Sequence, residues 1–99
     1  MRYRFLDKGL TRLYEHGTDF VQYPPGIAEA FVKRVRIIEA AADERDLRAL
    51  KSLHFEKLKG PGNRYSIRLN KAWRLILTFE KDKNGKIVVI IEINRHYGD

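Results

Sequence analysis

The sequence has no cysteine and only three histidines among its 99 residues. Without cysteine there can be no disulfide, no thiolate metal ligand and no cysteine nucleophile. The three histidines are His16, His54 and His96, and their spacing suits no metal site. We therefore expect any chemistry of this chain to use neither a metal nor a cofactor.

A long apolar run is also missing. No stretch approaches the roughly 20 apolar residues that cross a bilayer, and the opening residues 1–5 lack the apolar core of a secretory signal. Hydrophobic residues make up 43% of the chain, which is enough for one modest core at this length. These features predict a single domain over residues 1–99, in the cytoplasm and without a membrane partner.

Acidic residues are outnumbered, 13 against 20 lysines and arginines, which gives a net charge of +7. Residues 1–50 hold 9 basic and 8 acidic side chains, a net of +1, whereas residues 51–99 hold 11 and 5, a net of +6. Between Lys57 and Arg74 there are six cations and no acid. Such a run is often only a solvated face. Because it falls on predicted strands and a glycine loop, we favour a surface for RNA phosphates, with these predicted contacts: Lys57, Lys59, Arg64 and Arg68.

The first half of the chain has helical periodicity after a short strand. Arg2 to Phe5 alternates basic and aromatic residues, as an edge strand does. A short helix is then predicted to end at Gly17, and a longer one to follow Pro24-Pro25. A brief third helix is predicted over Glu44 to Leu50. Their inward-facing residues are predicted to be Leu6, Leu10, Leu13 and Tyr14, then Ile27, Phe31, Val35, Ile38 and Ala42, and finally Leu47 and Leu50.

The second half changes to the period of two that is typical of strands. Tyr65, Ile67 and Leu69 are predicted on one face of a strand and Ser66 and Arg68 on the other. The next strand turns Trp73, Leu75, Leu77 and Phe79 toward the core, so Arg74 faces away from it. Asn84-Gly85 predicts a hairpin turn, and residues 87–91, apolar on both faces, predict a covered central strand. The result is an α+β fold, in which an N-terminal strand and a helical hairpin pack on a twisted, mainly antiparallel sheet.

Residues suited to metal-free cleavage of RNA are present. That reaction needs a base for the 2′-hydroxyl, an acid for the leaving 5′-oxygen and cations for the phosphorane. Glu56 can be the base, His96 the acid, and Tyr97 can stack on or hydrogen-bond the substrate, while Lys59, Arg64 and Arg74 can serve as the cations. From the residues alone a bland interpretation competes, with Glu56 paired to a neighbouring lysine and His96 an exposed surface residue. Trp73 is more readily a core residue than a base-stacking platform.

Several segments resemble the HigB ("killer protein") group of the RelE/ParE toxin superfamily. They are Phe5 to Leu10 with Leu13-Tyr14-Glu15, then Phe55 to Gly60, Tyr65 to Asn70 and Trp73-Arg74-Leu75, so the similarity spans nearly the whole chain. The resemblance implies a RelE/ParE-like fold and a toxin of a type II toxin–antitoxin system. It also implies a ribosome-dependent endoribonuclease that cuts messenger RNA, together with a cognate antitoxin, usually a helix-turn-helix protein of the HigA type.

The end of the chain departs from that pattern. HigB proteins usually finish with an acid, a tyrosine and a histidine, whereas this chain has Arg95-His96-Tyr97-Gly98-Asp99. This ending resembles YoeB-type toxins, which pair a final histidine and tyrosine with a glutamate and a strand arginine. Carried over by motif, the catalytic residues are Glu56, Arg74, His96 and Tyr97. The reactive histidine of HigB proteins matches Glu56, so His54 is a weaker candidate.

Two other functions fit the same sequence. A ParE-like inhibitor of DNA gyrase shares the fold and acts by binding alone. A catalytically silent RNA-binding relative would keep the basic surface without competent acid–base geometry. The ribonuclease needs a cluster of Glu56, Arg74, His96 and Tyr97 beside the basic strands, and finding a base and an acid together there would argue against a toxin that acts by binding alone.

Overall fold

The computed structural model describes residues 1–17 and 23–95, which form a five-stranded sheet and three α-helices. The elements in chain order are β1 (Tyr3–Phe5), α1 (Lys8–His16), α2 (Ile27–Ala40), α3 (Glu44–Ala49), a 3-10 turn (Lys51–Leu53), β2 (Glu56–Lys57), β3 (Tyr65–Arg68), β4 (Trp73–Asp82) and β5 (Gly85–Arg95). None of the helices in these two ranges is long and apolar enough to span a membrane.

The sheet order is β1-β5-β4-β3-β2, with β1 parallel to β5 and the other neighbours antiparallel. This confirms the predicted α+β fold and its mainly antiparallel sheet. It also confirms β1 as an edge strand. Strand β5, which was predicted to be central, is an inner strand between β1 and the central β4. A parallel edge is possible here because the helices supply the long crossover that parallel neighbours need.

Helix α1 begins later than the apolar spacing predicted. The Asp7 side chain accepts a hydrogen bond from the Leu10 amide at 2.9 Å, so Asp7 is the N-cap and Leu6 lies outside the helix. Leu6 is 54% exposed, and its predicted place in the core is wrong. The other end is confirmed: Gly17 has a φ of 72° and its amide donates to the Leu13 carbonyl at 2.8 Å.

Helices α2 and α3 both end earlier than the apolar spacing predicted. Helix α2 stops at Ala40, and Ala41 rather than Ala42 is buried. Helix α3 stops at Ala49, which leaves Leu50 44% exposed instead of turned inward. Between them, Asp46 accepts from the Ala42 amide at 2.7 Å. Because the Ala42 amide donates to the Asp46 side chain of α3, it does not donate to a carbonyl of α2, and α2 ends before Ala42.

The sheet buries its two faces unequally. On one face the helices enclose the main core, which includes Phe31, Ile38, Ile67, Leu75 and Ile90. We call the opposite face the open face, because none of the described helices packs on it. It carries a small second cluster of Ile76, Val89 and Ile91, with Leu58 packed against it.

The β4–β5 hairpin contains the predicted turn and an irregularity that was not predicted. Gly85 has a φ of 107°, and Asp82 accepts from the Asn84 amide at 2.8 Å, so the turn is confirmed. Farther along, Leu77 pairs with Ile90 but Ile76 pairs with Glu92, so Ile91 is an extra residue in a β-bulge. The bulge shifts the alternation of β5, and Ile93 therefore joins the main core.

Candidate functional site

The strand register brings the predicted glutamate and arginine onto the open face. Glu56 on β2 lies opposite Ser66 on β3, and Arg74 on β4 lies opposite Arg68 on β3. Ser66 and Arg68 alternate with Tyr65 and Ile67, which pack toward the helices. Glu56, Ser66, Arg68 and Arg74 consequently share one face of the sheet.

Arg74 is buried although it carries a full charge. Its side chain is 8% exposed, and its Nη1 lies 4.0 Å from Oε1 of Glu56, whose side chain is 53% exposed. Among the described residues, Glu56 is the only carboxylate within ion-pair distance of Arg74, and the Nε and Nη1 atoms of Arg74 have no hydrogen-bond partner. A buried cation with unused donors is costly unless an anion completes its surroundings.

Arg68 increases this imbalance of charge. It lies directly across from Arg74, and like charges opposite one another in a sheet are destabilising. Its Nε is buried and also lacks a partner within the described part of the chain. Its backbone carbonyl, by contrast, accepts a hydrogen bond from Arg34 on α2 at 2.9 Å, which ties the end of β3 to the helices. Two fixed guanidinium groups on one face can bind an anionic group such as a phosphate.

The bulge in β5 supplies a further polar neighbour. Without the extra residue Ile91, the pairing of β4 and β5 would bring Ile93 opposite Arg74. With it, Asn94 occupies that position. Asn94 is exposed, and its amide donates to Glu92 at 2.6 Å. The role of Asn94 was not predicted from the sequence. The available signal was Glu92: strict alternation along β5 would turn this charged residue toward the main core, and a bulge avoids that.

A glycine-rich loop from Leu58 to Arg64 borders the open face. The Leu58 amide donates to the Arg64 carbonyl at 2.8 Å and the Thr78 hydroxyl donates to the Asn63 carbonyl at 2.8 Å, so the loop is closed and attached to β4. Leu58 packs on the second apolar cluster. Lys59 and Arg64 are exposed in this loop, near the open face.

Lys57 is oriented differently from the other predicted RNA contacts. It lies opposite Tyr65, on the side of the sheet that packs toward the helices, whereas Glu56 beside it belongs to the open face. The four predicted contacts therefore do not form one surface: Arg68 is on the open face, Lys59 and Arg64 are in the adjoining loop, and Lys57 is on the other side of the β2 edge.

The residue before Glu56 is held by aromatic and charged neighbours. The Phe55 and Tyr65 rings stack with centroids 5.4 Å apart, and Arg48 lies 5.0 Å from the Phe55 ring centre. Glu44 accepts hydrogen bonds from Lys86 and Arg48, and the bond from Lys86 is the main reason that the pKa of Glu44 is lowered. These contacts connect α3 to the strands and fix the entry into β2.

His96 and Tyr97 lie outside the described residues, so their predicted roles stay predictions. The last described pairs of β5 are Asn94 with Arg74 and Arg95 with Trp73. His54, the weaker candidate, is exposed after the 3-10 turn with a φ of 46°. Within residues 1–17 and 23–95, no group of three His, Asp or Glu side chains is arranged to hold a metal ion.

Comparison with known proteins gives consistent matches over most of the chain. The family model described as "RelE-like toxin of type II toxin-antitoxin system HigB" matches residues 3–96. Toxin HigB-1 of Vibrio cholerae is 38% identical over 77 residues, which are 77% of this chain and 81% of that protein. An uncharacterized protein of Haemophilus influenzae is 31% identical over 83 residues, 83% of this chain and 82% of its own.

A solved structure extends the similarity to the fold. The YoeB/ParE toxin from Agrobacterium tumefaciens superposes with a TM-score of 0.58, covering 98% of this chain and 100% of that one, at 18% sequence identity. At this identity the match supports the arrangement of helices and strands.

Proposed function

Because this chain belongs to the HigB family of RelE-like toxins of type II toxin–antitoxin systems, we propose that it is an endoribonuclease that cuts messenger RNA on the ribosome. The observation that carries the proposal is the pair formed by exposed Glu56 and buried Arg74, whose atoms lie 4.0 Å apart on the open face. A general base beside a fixed cation is what cleavage by the 2′-hydroxyl needs.

Each residue has a defined role in the proposed reaction. Glu56 removes the proton of the 2′-hydroxyl, whose oxygen attacks the neighbouring phosphorus. Arg74 stabilises the charge that develops on the phosphorane oxygens. His96 gives a proton to the 5′-oxygen as its bond to phosphorus breaks, and Tyr97 orients or stacks on the substrate. The products are a 2′,3′-cyclic phosphate and a 5′-hydroxyl, and no metal or cofactor takes part.

Burial suits Arg74 to this role. A guanidinium in a site of low dielectric interacts more strongly with a phosphorane than one in water does. Its unused Nε and Nη1 donors have no described partner to give up when the substrate arrives. The exposed carboxylate of Glu56 remains accessible to RNA. Arg68, Lys59 and Arg64 extend the positive charge and contact neighbouring phosphates.

A toxin of this kind has an antitoxin partner. We propose that the partner is a helix-turn-helix protein of the HigA type, and that the pair acts in the cytoplasm, where messenger RNA and ribosomes are found. Co-expression of the antitoxin should rescue growth. A chain that is harmless alone and recovers no partner from its native host would contradict this part of the proposal.

The deciding experiment is to induce the toxin briefly and map the 5′ ends of cellular transcripts. We expect new ends within translated frames, bearing 5′-hydroxyl groups, and none after induction of the Glu56→Ala or His96→Ala protein. Transcripts that stay intact while gyrase is inhibited would identify a ParE-like toxin instead. Ends with a 5′-phosphate would leave a ribonuclease but overturn the mechanism.

A further inference from the structure

Ser66 occupies the open face on β3, between the strands that carry Glu56 and Arg74. The residue is only 1% exposed, and its hydroxyl has no hydrogen-bond partner among the described residues. Burying a hydroxyl without a partner costs free energy, and such groups in folded proteins call for an explanation. Within residues 1–17 and 23–95, none of the hydrogen bonds that stabilise the fold uses this hydroxyl.

The register shows what lies nearest to it. Ser66 is directly opposite Glu56 on β2 and Ile76 on β4. Neighbouring strands are about 4.8 Å apart, so β2 and β4 are separated by roughly 10 Å and their side chains can meet only above β3. The 4.0 Å approach of Glu56 to Arg74 is such a meeting. The small Ser66 side chain, together with Arg68, lies on β3 beneath the pair formed by Glu56 and Arg74.

We propose that Ser66 is a positioning residue for Glu56, an inference that rests on the proposed ribonuclease function. When RNA covers the open face, water is excluded from the Glu56 carboxylate. The Ser66 hydroxyl then donates a hydrogen bond to one carboxylate oxygen, while Arg74 is beside the same group. With one oxygen held, the other is directed outward to the 2′-hydroxyl. The bond is made during the reaction rather than in the free protein, which accounts for an unpartnered hydroxyl in the fold.

The test compares Ser66→Ala with Ser52→Ala, the same change at an exposed serine in the 3-10 turn. Single-turnover cleavage of ribosome-bound messenger RNA is measured over a range of toxin concentrations, and thermal unfolding is followed for each protein. We expect Ser66→Ala to lower the cleavage rate by about 10-fold to 100-fold with half-saturation changed by less than about twofold. Its Tm should be unchanged or higher, because the hydroxyl it removes is buried and unpartnered. Ser52→Ala should match the unaltered protein.

A double substitution separates positioning from packing. In a Glu56→Gln background the carboxylate is gone, so Ser66→Ala should cause little further loss of rate. Equal cleavage by Ser66→Ala and the unaltered protein would overturn the role of Ser66 and leave the ribonuclease intact. So would a lower Tm with the same rate loss in both backgrounds, which would identify a packing defect. No cleavage by the unaltered protein would remove both proposals.

Discussion

On the helix-covered face of the sheet, apolar side chains pack together, and no described polar residue is fully buried. On the open face, by contrast, Ser66 and Arg74 are both buried, at 1% and 7% exposure. All four buried polar side-chain atoms without a partner in the described chain belong to Ser66, Arg68 and Arg74. One face of the sheet thus stabilises the fold by apolar packing, whereas the unpartnered polar atoms on the other face lower its stability. Local violations of the packing rules are expected where a protein acts. Substitutions on the helix-covered face should therefore change mainly stability, and substitutions on the open face mainly activity.

The largest effect should come from Glu56→Ala, which removes the proposed base. Cleavage should fall by about 100-fold to 10,000-fold, the usual cost of losing general acid–base catalysis. Thermal unfolding and antitoxin binding should be unchanged, because the Glu56 side chain is 53% exposed. Glu80→Ala is the matched control, since Glu80 is an exposed carboxylate on β4 that pairs with Arg4. Full activity of Glu56→Ala would refute the assignment.

For Phe31→Ala on the helix-covered face, we expect a loss of stability with little change in the cleavage rate, the reverse of the result for Glu56→Ala. Phe31 is fully buried on α2, and truncating a buried phenylalanine costs about 3–5 kcal/mol of unfolding free energy. Urea unfolding measures this loss, with Lys33→Ala on the exposed side of the same helix as the control. Below the unfolding transition, the cleavage rate per folded molecule should be nearly normal. A loss under about 1 kcal/mol would mean that the core rearranges around the gap.

Arg74→Met should separate stability from activity within one residue. Replacing a buried ion pair by apolar side chains of similar volume is often neutral or stabilising by about 1–4 kcal/mol. Here only Arg74 is buried, and Glu56 is exposed, so the substitution leaves no buried charge behind. We therefore expect an equal or higher urea midpoint together with loss of cleavage. Marked destabilisation would show that the ion pair with Glu56 holds the fold, and it would weaken the contrast between the two faces.

A smaller effect is expected for single phosphate contacts. Lys59→Ala should reduce the slope of log affinity against log salt for RNA by about one unit, because one fewer counterion is released. Lys33→Ala, which removes a helix cation paired with Glu29, should leave the slope unchanged. Filter binding at several salt concentrations measures both slopes. Identical slopes for the two variants would show that Lys59 does not contact RNA phosphates.

The smallest effect should come from an ion pair at the hairpin, away from both faces. The hydrogen bond from Arg2 lowers the pKa of Asp82 to about 2, well below its ordinary value. Because the folded pKa is depressed, the pair stabilises the protein above about pH 4 and the gain is lost as the pH falls toward 2. Arg2→Gln should lower the Tm slightly at neutral pH, and the difference should shrink over that acidic range. A constant difference would assign the effect to Arg2 packing.

Much of the fold was predictable because the relevant signals are local. The alternation of Ile67, Leu75 and Leu77 and the turn at Gly85 gave the strands and their hairpin correctly. The errors at Leu6 and Ala42 arose because apolar spacing continued past the true helix ends, where the side chains of Asp7 and Asp46 accept hydrogen bonds from backbone amides. Spacing alone cannot indicate which polar side chain will terminate a helix.

The site was predictable only in part. Alternation alone placed Arg74 on the face away from the core, and the family resemblance selected Glu56, but the burial of Arg74 depends on neighbours from β2 and β3. The position of Asn94 depends on a bulge, and the separation of Lys57 from the other cations depends on the register of a two-residue strand. Long-range pairings of this kind are not encoded in any short segment.

The parallel pairing of β1 with β5 also bears on when the toxin can become active. Tyr3 pairs with Val88 and Phe5 with Ile90, so the first strand can find its partner only after almost all other elements have been synthesised. Contacts this distant in sequence form slowly, since a long loop must close before they can stabilise anything. Strand β5 also supplies Asn94 beside Arg74. We expect the nascent toxin to stay inactive until β5 has been synthesised and has joined the sheet, which gives an antitoxin already present in the cell time to bind before the proposed site is complete.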